Sequence, residues 1–301
     1  MSADPSGEVQ SQLINLLNGQ NFQKTVITSK ELLNSFPNSP ILNNIIGAAF
    51  SGLELFDDAI KNFKKALKLN PNFLDAHFNL AGAYKNNMEL EKSIVCYTKL
   101  LKAKPNYYEA WNNLGICYYD KQEYSKAIKC YEKAIKFNSA FVQAFFNKAN
   151  ALRESGKNEQ AIFDYDQVSQ LVPNFADPYV SKGSILRKLG DIEGAIKLYE
   201  KAIALNPEYS EAFSLRGNAL KELKKYDEAE LSYKKALCIK PQNAEVWNSF
   251  GALHFECERY NKAIDCFHEA IKIDPRQTGP YGNLGRVYKA NEEWKIAIEN
   301  F

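Results

Sequence analysis

The sequence predicts an all-α chain built as an extended solenoid of stacked helix pairs, and three observations carry that prediction. Prolines stand at Pro37, Pro71, Pro105, Pro173, Pro207, Pro241 and Pro275, so neighbours differ by 34 residues or by twice 34, with Ser139 on the same grid. Columns of large flat and very small side chains recur in step with these prolines. Between them apolar residues return at intervals of three and four with no competing period of two, which is the pattern of amphipathic helices.

Placing the proline at position 32 gives repeats 40–73, 74–107, 108–141, 142–175, 176–209, 210–243 and 244–277, followed by a truncated eighth at 278–301. Position 4 carries His77, Trp111, Phe145, Tyr179, Phe213, Trp247 and Tyr281, whereas position 8 holds only glycine or alanine, from Gly47 to Gly285. Position 11 is mostly aromatic or leucine, and position 20 is alanine except at Ser93. Position 24 returns to rings at Phe63, Tyr97, Tyr131, Tyr165, Tyr199, Tyr233, Phe267 and Phe301. Each repeat thus contains a helix A and a helix B, with helix A interrupted near positions 14 and 15 and helix B stopped by the proline. Small residues at 8 and 20 let the pair approach closely, and the rings at 4, 11 and 24 are expected to fill the space around that contact. A single pair cannot bury both apolar faces, so the core is expected to run from repeat to repeat.

Bulk properties narrow the function. The 301 residues are 45% hydrophobic and 25% charged with a formal net charge of +2. That balance speaks against a nucleic-acid or anionic-membrane partner, both of which need a concentrated basic face. The opening MSADPSGEVQ has neither the basic nor the apolar region of a secretory signal, and no stretch offers the ~20 apolar residues of a membrane span. Six cysteines (Cys96, Cys117, Cys130, Cys238, Cys257 and Cys266) form no CxxC pair, so free thiols in a reducing, cytoplasmic setting are expected. Three of them, Cys96, Cys130 and Cys266, share position 23, a small half-buried helix position.

These columns resemble the tetratricopeptide-repeat (TPR) family, whose W-x2-L-G-x2-Y…A-x3-F…A…P pattern is met by Trp111, Leu114, Gly115, Tyr118, Ala127, Tyr131 and Ala134. Trp247, Gly251, Ala263, Phe267, Ala270 and Pro275 match it again. The resemblance covers nearly the whole chain and implies a right-handed α-α superhelical solenoid that works by binding proteins. Residues 1–7 are expected to be a disordered tail. Residues 8–39 look like a degenerate, capping copy, with Phe22 at position 17, Leu32 at 27 and Pro37 at 32, but Leu13 at the small position 8 and Ser29 in place of the ring at 24. The stop at Phe301 inside helix B of the last repeat leads to the expectation that the polypeptide continues in a longer protein.

The resemblance also implies that helix A positions 2, 5, 6, 9, 12 and 13 line a concave groove that takes a protein or peptide ligand. Position 6 supplies Asn79, Asn113, Asn147 and Asn283, a partial asparagine ladder broken at Leu215; Asn112 at position 5 and Asn150 at position 9 add to it. An asparagine amide both donates and accepts, so it can bond a peptide backbone whatever the peptide's side chains. A similar ladder occurs in the repeat arm of O-linked N-acetylglucosamine transferases, and similar arms are fused to bacterial glycosyltransferases and sulfotransferases. Asparagine is equally at home on an exposed helix face. Position 12 adds Lys85, Arg153, Arg187 and Lys221, beside an acidic row at position 13 with which it can also form ordinary surface pairs; Phe146 at position 5 and Tyr119 at position 12 add aromatic surface. The lysine that the chaperone-tail branch of the family needs at position 5 is absent, so no carboxylate clamp is expected.

No cofactor, metal or catalytic residue is expected. His77 and His254 occupy the columns at positions 4 and 11, and His254 with Cys257 lacks further metal ligands. No P-loop, GxSxG, HExxH or GxGxxG motif occurs. Two functions remain: a scaffold that holds an extended peptide or partner protein in the groove, or the substrate-recognition arm of a larger glycosyltransferase- or sulfotransferase-like enzyme whose catalytic domain lies beyond residue 301. End-to-end or convex-face self-association is a further expectation for such an array.

Overall fold

The computed structural model describes residues 4–291, so the expected shortened helix B of the final repeat and the first three residues lie outside the described residues. Two compact units divide the chain, Met1–Lys157 and Asn158–Phe301. The first holds α1 (Gly7–Asn18), α2 (Phe22–Ser35), α3 (Pro40–Gly52), α4 (Phe56–Leu69), α5 (Leu74–Asn86), α6 (Leu90–Ala103), α7 (Tyr108–Asp120), α8 (Tyr124–Phe137) and α9 (Val142–Glu154). The second holds α10 (Asn158–Leu171), α11 (Asp177–Lys188), α12 (Ile192–Leu205), α13 (Ser210–Glu222), α14 (Tyr226–Ile239), α15 (Ala244–Glu256), α16 (Tyr260–Ile273) and α17 (Thr278–Ala290). Odd-numbered helices are the A helices and even-numbered ones the B helices. No strand occurs among the described residues. The unit boundary falls inside the repeat 142–175, between its A and B helices.

Within each unit an A helix packs on its own B helix, that B helix on the next A helix, and each A helix from α3 on also touches the next A helix of its unit. The closest contact is a ring laid on a glycine. A methyl group built on Gly115 would lie 2.5 Å from the Tyr131 ring, and one on Gly47, Gly183 or Gly251 would lie 2.6 Å from Phe63, Tyr199 or Phe267. The position 24 ring therefore occupies the space a side chain at position 8 would need. Tyr97, Tyr131, Tyr165, Tyr199, Tyr233, Phe63 and Phe267 are all essentially solvent-free, and each such ring removes roughly 150–250 Å² from water. Position 20 completes the notch: Ser93, the exception there, donates its hydroxyl to the Ala81 carbonyl at 2.7 Å and touches the Cys117 sulfur of the next repeat at 3.3 Å.

Position 4 does something other than fill the A–B contact. At His77, Trp111, Trp247 and Tyr281 the ring is half-buried at the junction between repeats, where its polar edge meets the position 32 carbonyl of the preceding repeat. Trp111 Nε1 donates to the Pro105 carbonyl at 2.8 Å and Trp247 Nε1 to that of Pro241 at 2.9 Å. His77 Nε2 lies 2.8 Å from the Pro71 carbonyl and the Tyr281 hydroxyl 3.3 Å from that of Pro275. A ring with a polar tip suits that place because it covers apolar surface and satisfies a helix-end carbonyl at once.

Helix ends follow from backbone chemistry. Helix A closes with position 15 in the left-handed region in every described copy that completes it: Gln20, Glu54, Met88, Gln122, Gly156, Gly190, Lys224 and Glu258 all have positive φ. The next N–H bonds back across five residues, as from Glu89 to Tyr84 and from Lys225 to Leu220, which makes a Schellman closure. Helix B ends two residues before the proline, because proline disfavours helical geometry at the residue preceding it. An Asx turn reinforces the stop, since Asn70, Asn206 and Asp274 accept the N–H two residues on at 3.1–3.2 Å. Asn138 does the same for Ala140 at 3.1 Å, and so stops α8 where Ser139 replaces the proline.

The degenerate copy packs by a variant of the same contact. Phe22 lies against Gly52, where a methyl group would approach to 2.5 Å, and Leu13 is buried with Leu42 and Ile45. Ordered structure reaches further into the expected 1–7 tail than the polar sequence implies. Pro5 is buried, Ser6 caps α1, and the Ser39 hydroxyl bonds the Asp4 carboxylate.

Two stability measurements probe these contacts. At Gly217 a methyl group would meet the Tyr233 ring at 2.8 Å, and that ring is held by a 2.7 Å hydrogen bond from its hydroxyl to Asn218 Oδ1. Gly217→Leu should therefore overpack the seam and lower urea stability by about 1–3 kcal/mol; an unchanged midpoint refutes the contact. Lys224, at φ 59°, carries a left-handed penalty of about 1–2 kcal/mol, part of which glycine's freedom in the unfolded chain cancels. Lys224→Gly should raise stability by about 0.5–1 kcal/mol, whereas Gly190→Ala should lower it.

Candidate functional site

The A helices of each unit lie side by side, so their outward positions share one face. In the first unit that face carries a depression of ≈ 360 Å³ between α3, α5 and α7. Its lining includes Ala48, Ser51, Phe78, Asn79, Gly82, Lys85, Asn86 and Asn113, which occupy positions 5, 6, 9, 12 and 13 of their repeats. Three of the sequence-derived candidates, Asn79, Lys85 and Asn113, are thus brought together, with Phe78 beside them.

The asparagines do more than line a surface. Asn79 Nδ2 donates to Asn44 Oδ1 at 3.1 Å, Asn147 Nδ2 to Asn112 Oδ1 at 2.9 Å, and Asn283 Nδ2 to Asn248 Oδ1 at 2.9 Å. In each case position 6 of one repeat bonds position 5 of the repeat before it. The amide nitrogen of each is thereby committed to joining repeats, on a half-buried side chain, and at Asn147 the oxygen also accepts from Gln143 Nε2 at 3.1 Å. Asn112 is 4% exposed and acts mainly through its partner. Asn113 follows Phe78 at position 5 and so has no amide to bond in the preceding repeat; Asn112 Nδ2 reaches it only at 3.5 Å. Of the position 5 partners, Asn112 was among the sequence candidates, whereas Asn44 and Asn248 were not. Their signal is a spacing of 35 rather than 34, visible in Asn44 and Asn79, Asn112 and Asn147, and Asn248 and Asn283.

The remaining candidates spread along the A helices. Phe146, Asn147, Asn150 and Arg153 lie at positions 5, 6, 9 and 12 of α9, and Tyr119 packs edge-on against Tyr124 with ring centres 5.5 Å apart. Arg187, Lys221 and Asn283 belong to the second unit. The basic row at position 12 is largely neutralised by its acidic neighbours. Arg187 Nε donates to Glu222 Oε1 at 2.8 Å and Lys221 Nζ to Glu256 Oε1 at 3.1 Å, each one repeat on, while Arg153 pairs with Glu154 at 2.8 Å. Such exposed pairs contribute at most about 1 kcal/mol each, and they leave no uncompensated basic stripe at those three residues.

The residues that could carry chemistry are placed as packing elements. His254 is 3% exposed with its ring centre 4.4 Å from that of Phe250. Burial holds its pKa below the ordinary 6.5, against the opposing pull of the Glu230 carboxylate. Burial pushes the thiols of Cys130 and Cys266 up to about 12, so they stay protonated and slow to react; Cys238 is exposed. Among the described residues no group of three or more His, Cys, Asp or Glu side chains could hold a metal ion. No described helix is long and apolar enough to cross a membrane.

The lowered pKa of His254 has a defined sign. The unfolded chain takes up this proton below 6.5 and the folded chain does so only at lower pH, so this group favours folding above 6.5 and the contribution fades as pH falls through the folded pKa. Between pH 7.5 and 5.5, wild type should lose more urea stability than His254→Phe, which keeps the aromatic position. Equal losses in the two proteins rule out a buried neutral imidazole.

Comparison with known families agrees with this geometry. Models described as "Tetratricopeptide repeat" match residues 74–107, 108–141, 130–163, 210–243 and 244–277, and one described as "TPR repeat" matches 55–87 and 183–224. No curated protein sequence matches the chain. Among solved structures, a chain of the APC/C hetero-tetramer Cut9–Hcn1 aligns over 92% of this chain at 20% identity with a TM-score of 0.60, and this chain spans 55% of that one's length. MamA aligns over 55% of this chain and 97% of its own at 26% identity, TM-score 0.51. The C-terminal part of a TPR repeat-containing protein from Cytophaga hutchinsonii aligns over 79% of this chain and 97% of its own at 17% identity, TM-score 0.64. With matched repeats over well more than half of its length, and rings seated on small residues in step with them, this chain belongs to the tetratricopeptide-repeat family.

Proposed function

We propose that the protein is an interaction scaffold that holds an extended peptide or an extended segment of a partner protein along its A-helix face, by binding rather than catalysis. Repeats of this family serve generally in protein–protein binding, which is the broader part of the statement. The observation that carries the narrower part is the depression where Asn79, Asn113, Lys85 and Phe78 gather at the outward positions of consecutive A helices. Amides there can bond a strand's N–H and C=O groups, and Phe78 offers apolar surface for a side chain. Neighbouring A helices about 8–10 Å apart and a strand rise of about 3.3 Å per residue put one amide against roughly every third ligand residue. The paired state of Arg187 and Lys221 favours recognition of backbone over recognition of net charge.

Selection from a random library of unstructured peptides, followed by N-methylation of each backbone nitrogen of a selected peptide, tests this directly. Methylation should weaken binding periodically, at about every third residue. The variant Asn79→Ala/Asn113→Ala/Asn147→Ala should lose at least about tenfold in affinity while its circular-dichroism spectrum stays helical. A selected peptide that tolerates methylation everywhere, or that binds the triple variant normally, refutes the proposal.

A further inference from the structure

A second concave feature lies away from the asparagine-lined depression. It is a cavity of ≈ 560 Å³ between B helices α6 and α8 and the A helix α7, from Trp111 to Tyr118. Its apolar wall includes Leu101, Leu114 and Trp111, and its rim carries Lys102, Lys126, Lys129 and Lys133; no acidic side chain lines it. Among the described residues Lys102 and Lys129 make no ion pair. Lys133 Nζ sits 4.0 Å from the centre of the Trp111 ring and Lys126 Nζ 5.3 Å from that of Tyr118. Lys126 also pairs with Glu123 at 2.5 Å, outside the lining.

This charge is not a by-product of the repeat. The four lysines occupy position 29 of one repeat and positions 19, 22 and 26 of the next. At the preceding junction the corresponding residues are Lys68, Lys92, Val95 and Lys99, and at the following one Lys136, Gln160, Phe163 and Gln167. The remaining junctions carry two lysines at most, and four of them include a carboxylate, at Asp58, Glu228, Asp265 with Glu269, and Glu299. Like charges gathered around one apolar pocket repel one another, and an anionic occupant relieves that repulsion.

We infer that this cavity docks an acidic peptide segment of a partner protein, with one large apolar side chain seated among Leu101, Leu114 and Trp111 and flanking carboxylates held by the lysine rim. A peptide fits better than a nucleic acid because the lysines converge on one apolar hollow. A phosphate backbone calls instead for cations spread along a track. The docking surface is separate from the groove proposed above and stands or falls independently of it.

The probe is a fluorescein-labelled peptide of four glutamates flanking one phenylalanine, titrated into the full chain at low salt and followed by polarisation. Saturable binding should weaken at least about tenfold when phenylalanine is replaced by alanine in the peptide, which leaves the protein untouched. It should weaken similarly in Lys102→Glu/Lys129→Glu, whose altered side chains are exposed and unpaired, and stay unchanged in Asn79→Ala/Asn113→Ala. Absence of binding at millimolar peptide, indifference to the lysine reversal, or indifference to the phenylalanine overturns the inference. So does tighter, lysine-dependent binding of a labelled oligothymidylate or of phosphatidylserine vesicles, which assigns the rim to nucleic acid or membrane.

Discussion

The seating of a ring at position 24 on a residue with almost no side chain at position 8 sets the distance between the two helices of each repeat, and the rest of the architecture depends on that distance. A ring is wide and stiff, so it fixes both separation and rotation when it lies against a glycine backbone, as Tyr131 does on Gly115. Once the pair is fixed, the A helix presents the same positions outward in every repeat. The functional face is therefore a consequence of buried packing, and the packing recurs with only aromatic and small side chains exchanged.

Much of this was legible in the sequence because repetition turns single-residue noise into columns. The spacing of the prolines, the small residues at 8 and 20 and the rings at 24 announce the helix pairs and their seam. The role of position 4 was not legible, since His77, Trp111 and Tyr281 look like core rings until their polar edges are seen to meet a proline carbonyl one repeat back. Nor does a column of Gln20, Glu54, Met88, Lys224 and Glu258 suggest left-handed backbone, a conformation usually given to glycine. There the demand of the Schellman closure outweighs local preference, and two true glycines, Gly156 and Gly190, are the only hint.

The candidate binding face was legible as a set of positions but not as a set of contacts. Counting in steps of 34 aligns Asn79, Asn113 and Asn147, and hides that the bonded neighbours are 35 apart, because a bond between adjacent A helices joins residues offset by one along the axis. For the same reason the basic row at position 12 looked available, although Arg187 and Lys221 each reach a glutamate in the next repeat. Side chains that alternate in sign across a repeat boundary satisfy each other before they meet a ligand.

The asparagine pairs have a directional consequence. In all three the later repeat donates and the earlier repeat accepts, so each bridge repeats the same polarity, from the later copy back to the earlier. An amide held in that way cannot exchange its oxygen and nitrogen without breaking the bridge. What it offers to a neighbour is thus a fixed order of acceptor and donor. A strand laid across such amides would find its own N-to-C sense matched in one orientation and opposed in the other.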